Sequence, residues 1–126
     1  MSLIRRKTQP SLYQVKMMTI KEYIQEHQEW SLKTFGEGNH TEGLLKHIEK
    51  EVEEVRRFPH NLLEWMDIII LAFDGAGREG YTPEQIASAL IEKQNINRGR
   101  EWPKITDASQ PTEHVRKESN GQNADG

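Results

Sequence analysis

Two pairs of acidic residues carry the most chemical information in this 126-residue chain. Glu51 and Glu54 form an ExxE pair, and Glu64 and Asp67 form an ExxD pair. At about 100° per residue, that spacing keeps the members of each pair on one side of a helix. Asp67 stands inside the run Trp65-Met66-Asp67-Ile68-Ile69-Ile70. An ionised carboxylate buried in such a run must be protonated, paired or metal-bound. Pro59 lies between the pairs, with Glu54 and Glu64 each five residues from it and Glu51 and Asp67 each eight. If the flanking helices fold back about that proline, the four carboxylates meet at matched heights. Their mutual repulsion then calls for bound divalent cations.

The two pairs are not equally diagnostic. Glu49, Glu51, Glu53 and Glu54 crowd one acid-rich segment, and an ExxE there by itself is what a solvated helix face looks like. Glu64 and Asp67 carry more weight, and the symmetry about Pro59 draws Glu51 and Glu54 in with them. The chain has no cysteine, so disulfides and thiolate metal sites are excluded. Oxygen-only ligation suits Mg²⁺, with Mn²⁺ as a substitute and two or more ions per site. A di-iron carboxylate site needs Glu-x-x-His on helices, and the one such spacing, Glu37 to His40, falls in a glycine-rich loop.

Four helices are expected to position these groups, and no segment shows the period-2 alternation of a half-buried strand. Thr19 and Glu22 form a capping box ahead of a helix with the apolar face Ile20, Tyr23, Ile24, His27 and Trp30, which stops near Gly36. A second helix, roughly 42–58, carries the stripe Leu44, Leu45, Ile48, Val52 and Val55, and Pro59 marks its end. The third, about 61–77, is apolar nearly all round and is expected to be buried. Thr82, Pro83 and Gln85 start a fourth helix that ends near Gly99. The fold expected is an all-α four-helix bundle at 19–106, with a flexible N-terminal arm at 1–18 and a disordered C-terminal tail at 107–126.

On the fourth helix the inward stripe Ile86, Ala89, Leu90 continues into Lys93 and Asn97, so that face turns polar toward its end, close to Arg98 and Arg100. These residues either meet phosphate oxygens or stabilise a helix C-terminus, and spacing alone favours neither. Trp30, Phe35 and Trp102 are candidates for stacking on a base, although core or interface roles are commoner for such residues. Asp74 is read as structural, with Arg78 one turn on as its partner, and His27 and His47 as structural histidines. A net charge of -3 argues against a duplex-binding surface, and the short basic cluster Arg5, Arg6, Lys7 reads as a solvated arm. The longest apolar stretch, 68–73, is far short of a membrane span, so a cytoplasmic protein is expected, without nucleic-acid or membrane partners. The apolar fraction of 34% leaves a thin core, which favours an oligomer.

In these residues the chain resembles the MazG-like all-α nucleoside triphosphate pyrophosphohydrolases. Glu51-x-x-Glu54 followed by Glu64-x-x-Asp67 is similar to the ExxE and ExxD pair of that superfamily. Gln28-x-x-Ser31-x-x-Thr34-Phe35-Gly36, Leu45-x-x-Ile48, Leu71-Ala72-x-Asp74 and Lys93-x-x-x-Asn97-x-x-Arg100-x-Trp102-Pro103 are similar to its dATP/dGTP diphosphohydrolase branch, which includes phage MazZ-like enzymes acting on dGTP. The nine residues between Glu54 and Glu64 are fewer than in most of the superfamily. The resemblance implies a metal held by Glu51, Glu54, Glu64 and Asp67, and a triphosphate reached by Lys93, Asn97 and Arg100. It also implies hydrolysis of a purine triphosphate, most readily dGTP and then dATP, to monophosphate and PPi by a homodimer or homotetramer. Glu51, Glu54 and Asp67 are the expected catalytic carboxylates, Glu54 as proton acceptor. The competing expectations are a house-cleaning enzyme for modified or pyrimidine nucleotides and a non-catalytic helical interaction protein.

Overall fold

The computed structural model describes residues 16–116. The larger part of the expected N-terminal arm, the basic cluster at 5–7 and the end of the expected tail lie outside the described residues. Among the described residues, four helices make up the regular structure: α1 (Ile20–Phe35), α2 (Thr41–Arg57), α3 (Leu62–Arg78) and α4 (Pro83–Arg98). This is the all-α class expected from the sequence. The described chain divides into two compact units, one up to Ser88 and one from Ala89 onward.

Helix boundaries follow local chemistry. The Thr19 hydroxyl accepts from the Glu22 N–H at 3.1 Å while the Glu22 carboxylate accepts from the Thr19 N–H at 2.8 Å, which completes the capping box. Thr82 and Gln85 make the same reciprocal pair ahead of α4, at 3.1 and 2.9 Å. α1 ends at Gly36, whose φ of 83° lies in the left-handed region that a side chain disfavours. Between α2 and α3, the Asn61 side chain caps α3 by accepting from the Leu63 N–H at 3.0 Å. The Trp65 indole N–H donates to the Pro59 carbonyl at 3.0 Å and fastens the turn from the α3 side.

α3 packs against α2 and, more lightly, against α1. Among the described residues the core of the first unit is thin, with Ile24, Val55 and Ile86 as its buried hydrophobic residues. α1 and α3 approach closely at Gly77, where a Cβ would come within 2.7 Å of Gln28 Nε2. The missing side chain lets Gln28 reach the Tyr81 carbonyl.

One expectation fails here. α3 is not buried all round: Leu62, Leu63, Trp65 and Ile69 are 41–52% exposed, and its one buried residue is Asp74. Asp67 is exposed as well. A helix covered by α2 and α1 keeps the rest of its circumference open in a single copy of the chain, however apolar it is. The inference that drew attention to Asp67, a carboxylate inside a buried helix, therefore does not hold for one copy.

In the second unit, the first ten residues of the expected tail make defined contacts. Asp107 accepts from the Ser109 N–H and hydroxyl at 2.9 and 2.6 Å. Further on, Val115 pairs antiparallel with Glu101, its N–H donating to the Glu101 carbonyl at 2.7 Å.

Candidate metal centre and its cleft

Glu51 on α2 and Glu64 and Asp67 on α3 each bring a carboxylate oxygen to within 4.8 Å of the others. The hairpin turn produces this meeting, as the symmetry about Pro59 predicts. Glu51 and Glu64 are half-buried at the α2–α3 seam, and Asp67 faces outward at its edge. Glu54 is also half-buried but lies outside this group of three. Three residues of helix rotate it about 60° away from the Glu51 direction and carry it about 4.5 Å further along the axis.

The donor set fits a hard divalent cation. Ligands of an octahedral ion bound at about 2.1 Å stand about 3.0 Å apart when adjacent and about 4.2 Å when opposed, so the three oxygens share one ion once their side chains draw together by about an ångström or two. Carboxylates alone offer no preference for a soft metal. His47, one turn before Glu51, has its Nε2 3.2 Å from Glu51 Oε2. This pairing holds one Glu51 oxygen and restricts the rotamer of the side chain. The sequence places His47 as a structural histidine, and its i, i+4 spacing to Glu51 is the signal for this contact.

A cleft of about 590 Å³ opens beside these acids. Glu51 and Asp67 line it together with Trp30, Phe35, His27, His40, His47, Gly43, Leu44, Ile70, Leu71 and Asp74, all from the first unit. Trp30 and Phe35 stand edge to face with ring centroids 5.4 Å apart, and they are 54% and 61% exposed. An open aromatic pair beside a carboxylate group can hold a flat ring while the acids engage a charged tail. His40 was missed in the sequence. It is the N-cap residue of α2 but makes no side-chain capping bond, which leaves its ring to the cleft.

Behind the aromatic pair lies a second ionic cluster. Asp74 is buried, with His27 Nε2 2.9 Å from Oδ1 and the Arg78 Nε–H donating to Oδ2 at 2.9 Å. Arg78 donates with its remaining nitrogens to the carbonyls of Gly36 and Gly38 at 2.8 and 3.0 Å and to the Ser31 hydroxyl and carbonyl at 2.8 and 3.3 Å. Burial opposes ionisation of Asp74, but hydrogen bonds from Ser31, Arg78 and His27 and the Arg78 charge outweigh it and hold the carboxyl below its ordinary value. The structural roles expected for Asp74 and His27 are those seen. Tyr23 stacks on His27, and its hydroxyl is pushed above its ordinary value, first by burial and then by the Asp74 charge.

The groups expected to meet phosphates lie in the second unit. Asn97 is half-buried; its Oδ1 accepts from Arg100 Nη1 at 3.3 Å, and its carbonyl accepts the Trp102 indole N–H at 2.7 Å. Lys93 is exposed on the same helix.

Comparison with known proteins agrees with this geometry. The family described as dATP/dGTP pyrophosphohydrolase matches residues 23–121. The chain belongs to that family. The dATP/dGTP pyrophosphohydrolase match takes in both ExxE and ExxD pairs, the aromatic pair and the folded-back segment up to Arg116, and it agrees with the enzyme class expected from the sequence. The Eaa protein of Salmonella phage P22 is 40% identical over 93 residues, covering 74% of this chain and 29% of that relative's length. The chain therefore spans less than a third of that phage protein. No solved structure matches it. No helix among the described residues is long and apolar enough to cross a membrane.

Proposed function

We propose that this chain hydrolyses the α–β anhydride of a purine deoxynucleoside triphosphate, dGTP first and dATP second, giving the monophosphate and PPi. The observation that carries this reading is the opening of one cleft onto both Glu51 and Asp67 and the Trp30–Phe35 pair. Family membership supports the reaction class. In the proposed site Glu51, Glu64 and Asp67 hold Mg²⁺, and His47 fixes Glu51 in place. When bound, the ion supplies Lewis-acid polarisation of the phosphoryl oxygens and a more acidic water. Glu54, half-buried on the same helix but outside the group of three, is the carboxylate assigned to take the water's proton. Trp30 and Phe35 hold the base, and Lys93, Asn97 and Arg100 are assigned to the phosphates. The open apolar side of α3, with Leu62, Leu63, Trp65 and Ile69, supports assembly into a homodimer or homotetramer.

The test is PPi release from a panel of canonical and modified triphosphates, with Mg²⁺ and with a chelator. The reading requires Mg²⁺-dependent release, fastest from dGTP. A higher rate for pyrimidine or damaged nucleotides would move the assignment to a house-cleaning enzyme. No turnover of any nucleotide would leave a non-catalytic helical protein.

A further inference from the structure

The second unit contains a cationic cluster that the reading above uses only in part. The antiparallel bridge between Glu101 and Val115 sets residue 102 beside 114 and residue 100 beside 116. The first neighbour pair is visible as a ring contact, Trp102 against His114 at 5.6 Å between centroids. The second neighbour pair is Arg100 and Arg116, two guanidiniums flanking one bridge, an arrangement that raises the local positive potential. His114 is pushed below its ordinary value, first by desolvation and then by the charges of Arg100 and Arg116; Glu113 opposes the shift and Lys93 adds to it. The bridge therefore sets His114 in a field in which three positive charges act against one negative. Its Nε2 is buried and has no hydrogen-bond partner among the described residues. A buried ring nitrogen without a partner is costly, and an anion that accepts from it in this field removes the cost.

We propose that the segment 113–116, folded back on residues 100–102, forms a polyphosphate-binding site. In it His114 and Arg116 join Arg100 and Lys93 in holding the pyrophosphate portion of a nucleotide or free PPi. Nothing in the sequence reading assigned His114 or Arg116, and the segment was expected to be a disordered tail. A compact polyanion fits better than a nucleic-acid backbone, because the cations cluster at one bridge and the chain as a whole is acidic at -3. Only the identification of the ligand as a nucleotide's pyrophosphate rests on the proposed hydrolase function.

The experiment is a calorimetric titration of the full chain with inorganic pyrophosphate in excess chelator, so that no carboxylate-bound metal takes part. Wild-type protein should bind pyrophosphate more tightly than orthophosphate, with affinity falling as salt rises. Arg116→Gln should weaken pyrophosphate binding about tenfold, and Arg116→Lys should recover part of that loss. Val115→Pro removes the N–H that closes the bridge and should weaken binding as much as Arg116→Gln, with the helical circular dichroism retained. Asp67→Asn should leave the titration unchanged or slightly stronger. Undiminished binding in both Arg116→Gln and Val115→Pro overturns the proposal, and so does equal affinity for orthophosphate and pyrophosphate. If pyrophosphate binds as described but no triphosphate is turned over, the hydrolase reading fails and the anion site stands. If turnover persists while the titration is flat, the reverse holds.

Discussion

Two aspartates seven residues apart on α3 have opposite fates. Asp74 is buried and meets its partners within the chain, the Arg78 charge on one oxygen and a His27 ring nitrogen on the other. Asp67 is exposed and has been gathered against two other carboxylates. Charge balanced internally contributes to folding, because removing either partner strands the other in a poorly solvated place. Charge gathered against its own sign detracts from stability and favours a cation supplied from outside. The same helix thus carries an internally paired acid at one end and, toward the other, an acid gathered with two more carboxylates.

Substitution at both ends tests this contrast. The largest expected effect is on activity: Asp67→Asn or Glu51→Gln should lower Mg²⁺-dependent PPi release at least about 10²-fold while urea unfolding without metal is unchanged or slightly improved. Full activity in both would remove the metal site from the argument. Next, Arg78→Ala should cost about 3–5 kcal/mol of unfolding free energy, since it leaves a buried carboxylate and two loop carbonyls without their donor. Arg78→Lys should recover only part, because an ammonium cannot reproduce the fork.

The third effect is metal-linked. Mg²⁺ at about a hundred times its dissociation constant should stabilise the wild type by roughly 2.7 kcal/mol in thermal unfolding, and not stabilise Asp67→Asn. His47→Ala should weaken that Mg²⁺ stabilisation by about tenfold in apparent affinity, with His47→Gln intermediate. The smallest effect is on pH dependence. The folded-state value of Asp74 lies below that of an unfolded aspartate, so its stabilisation is complete above about pH 4 and is lost as the pH falls through the folded value. The advantage of wild type over Asp74→Asn should therefore narrow between pH 7 and pH 3. A constant gap would mean that the Asp74 carboxyl is not held ionised by its neighbours.

Much of this was legible in the residues because the relevant forces are local. The two capping boxes, the Gly36 stop and the symmetry about Pro59 depend on contacts a few residues apart; the first two reappear in full and the third for three of its four carboxylates, without Glu54. The meeting of Glu51, Glu64 and Asp67 could be read because a short turn leaves two helices few ways to pair. Burial could not be read in the same way. The apolar circumference of α3 predicts a covered helix, but covering depends on which neighbours arrive, and the fold supplies them on one side. Asp67 was thus singled out for a burial it lacks in one copy, and the hairpin restores its importance on other grounds. His40 was missed, and the Glu51 partner of His47 was not named, because a histidine's role depends on what stands around it. The segment 113–116 was missed because nothing apolar marks it: one backbone bridge and one ring contact hold it in place.

The tie from Arg78 to the Gly36 carbonyl closes a loop of 42 residues, whereas the acid group is assembled within a hairpin whose turn is a few residues long. Closing the longer loop costs more chain entropy and should come later in folding. Substitutions in the α2–α3 turn, such as Asn61→Ala, should therefore slow folding, whereas Arg78→Ala should chiefly speed unfolding. On that order of events the three carboxylates are already together when Trp30 and Phe35 arrive, so the chain should pass through a state with its acid group assembled and the cleft beside it still unmade.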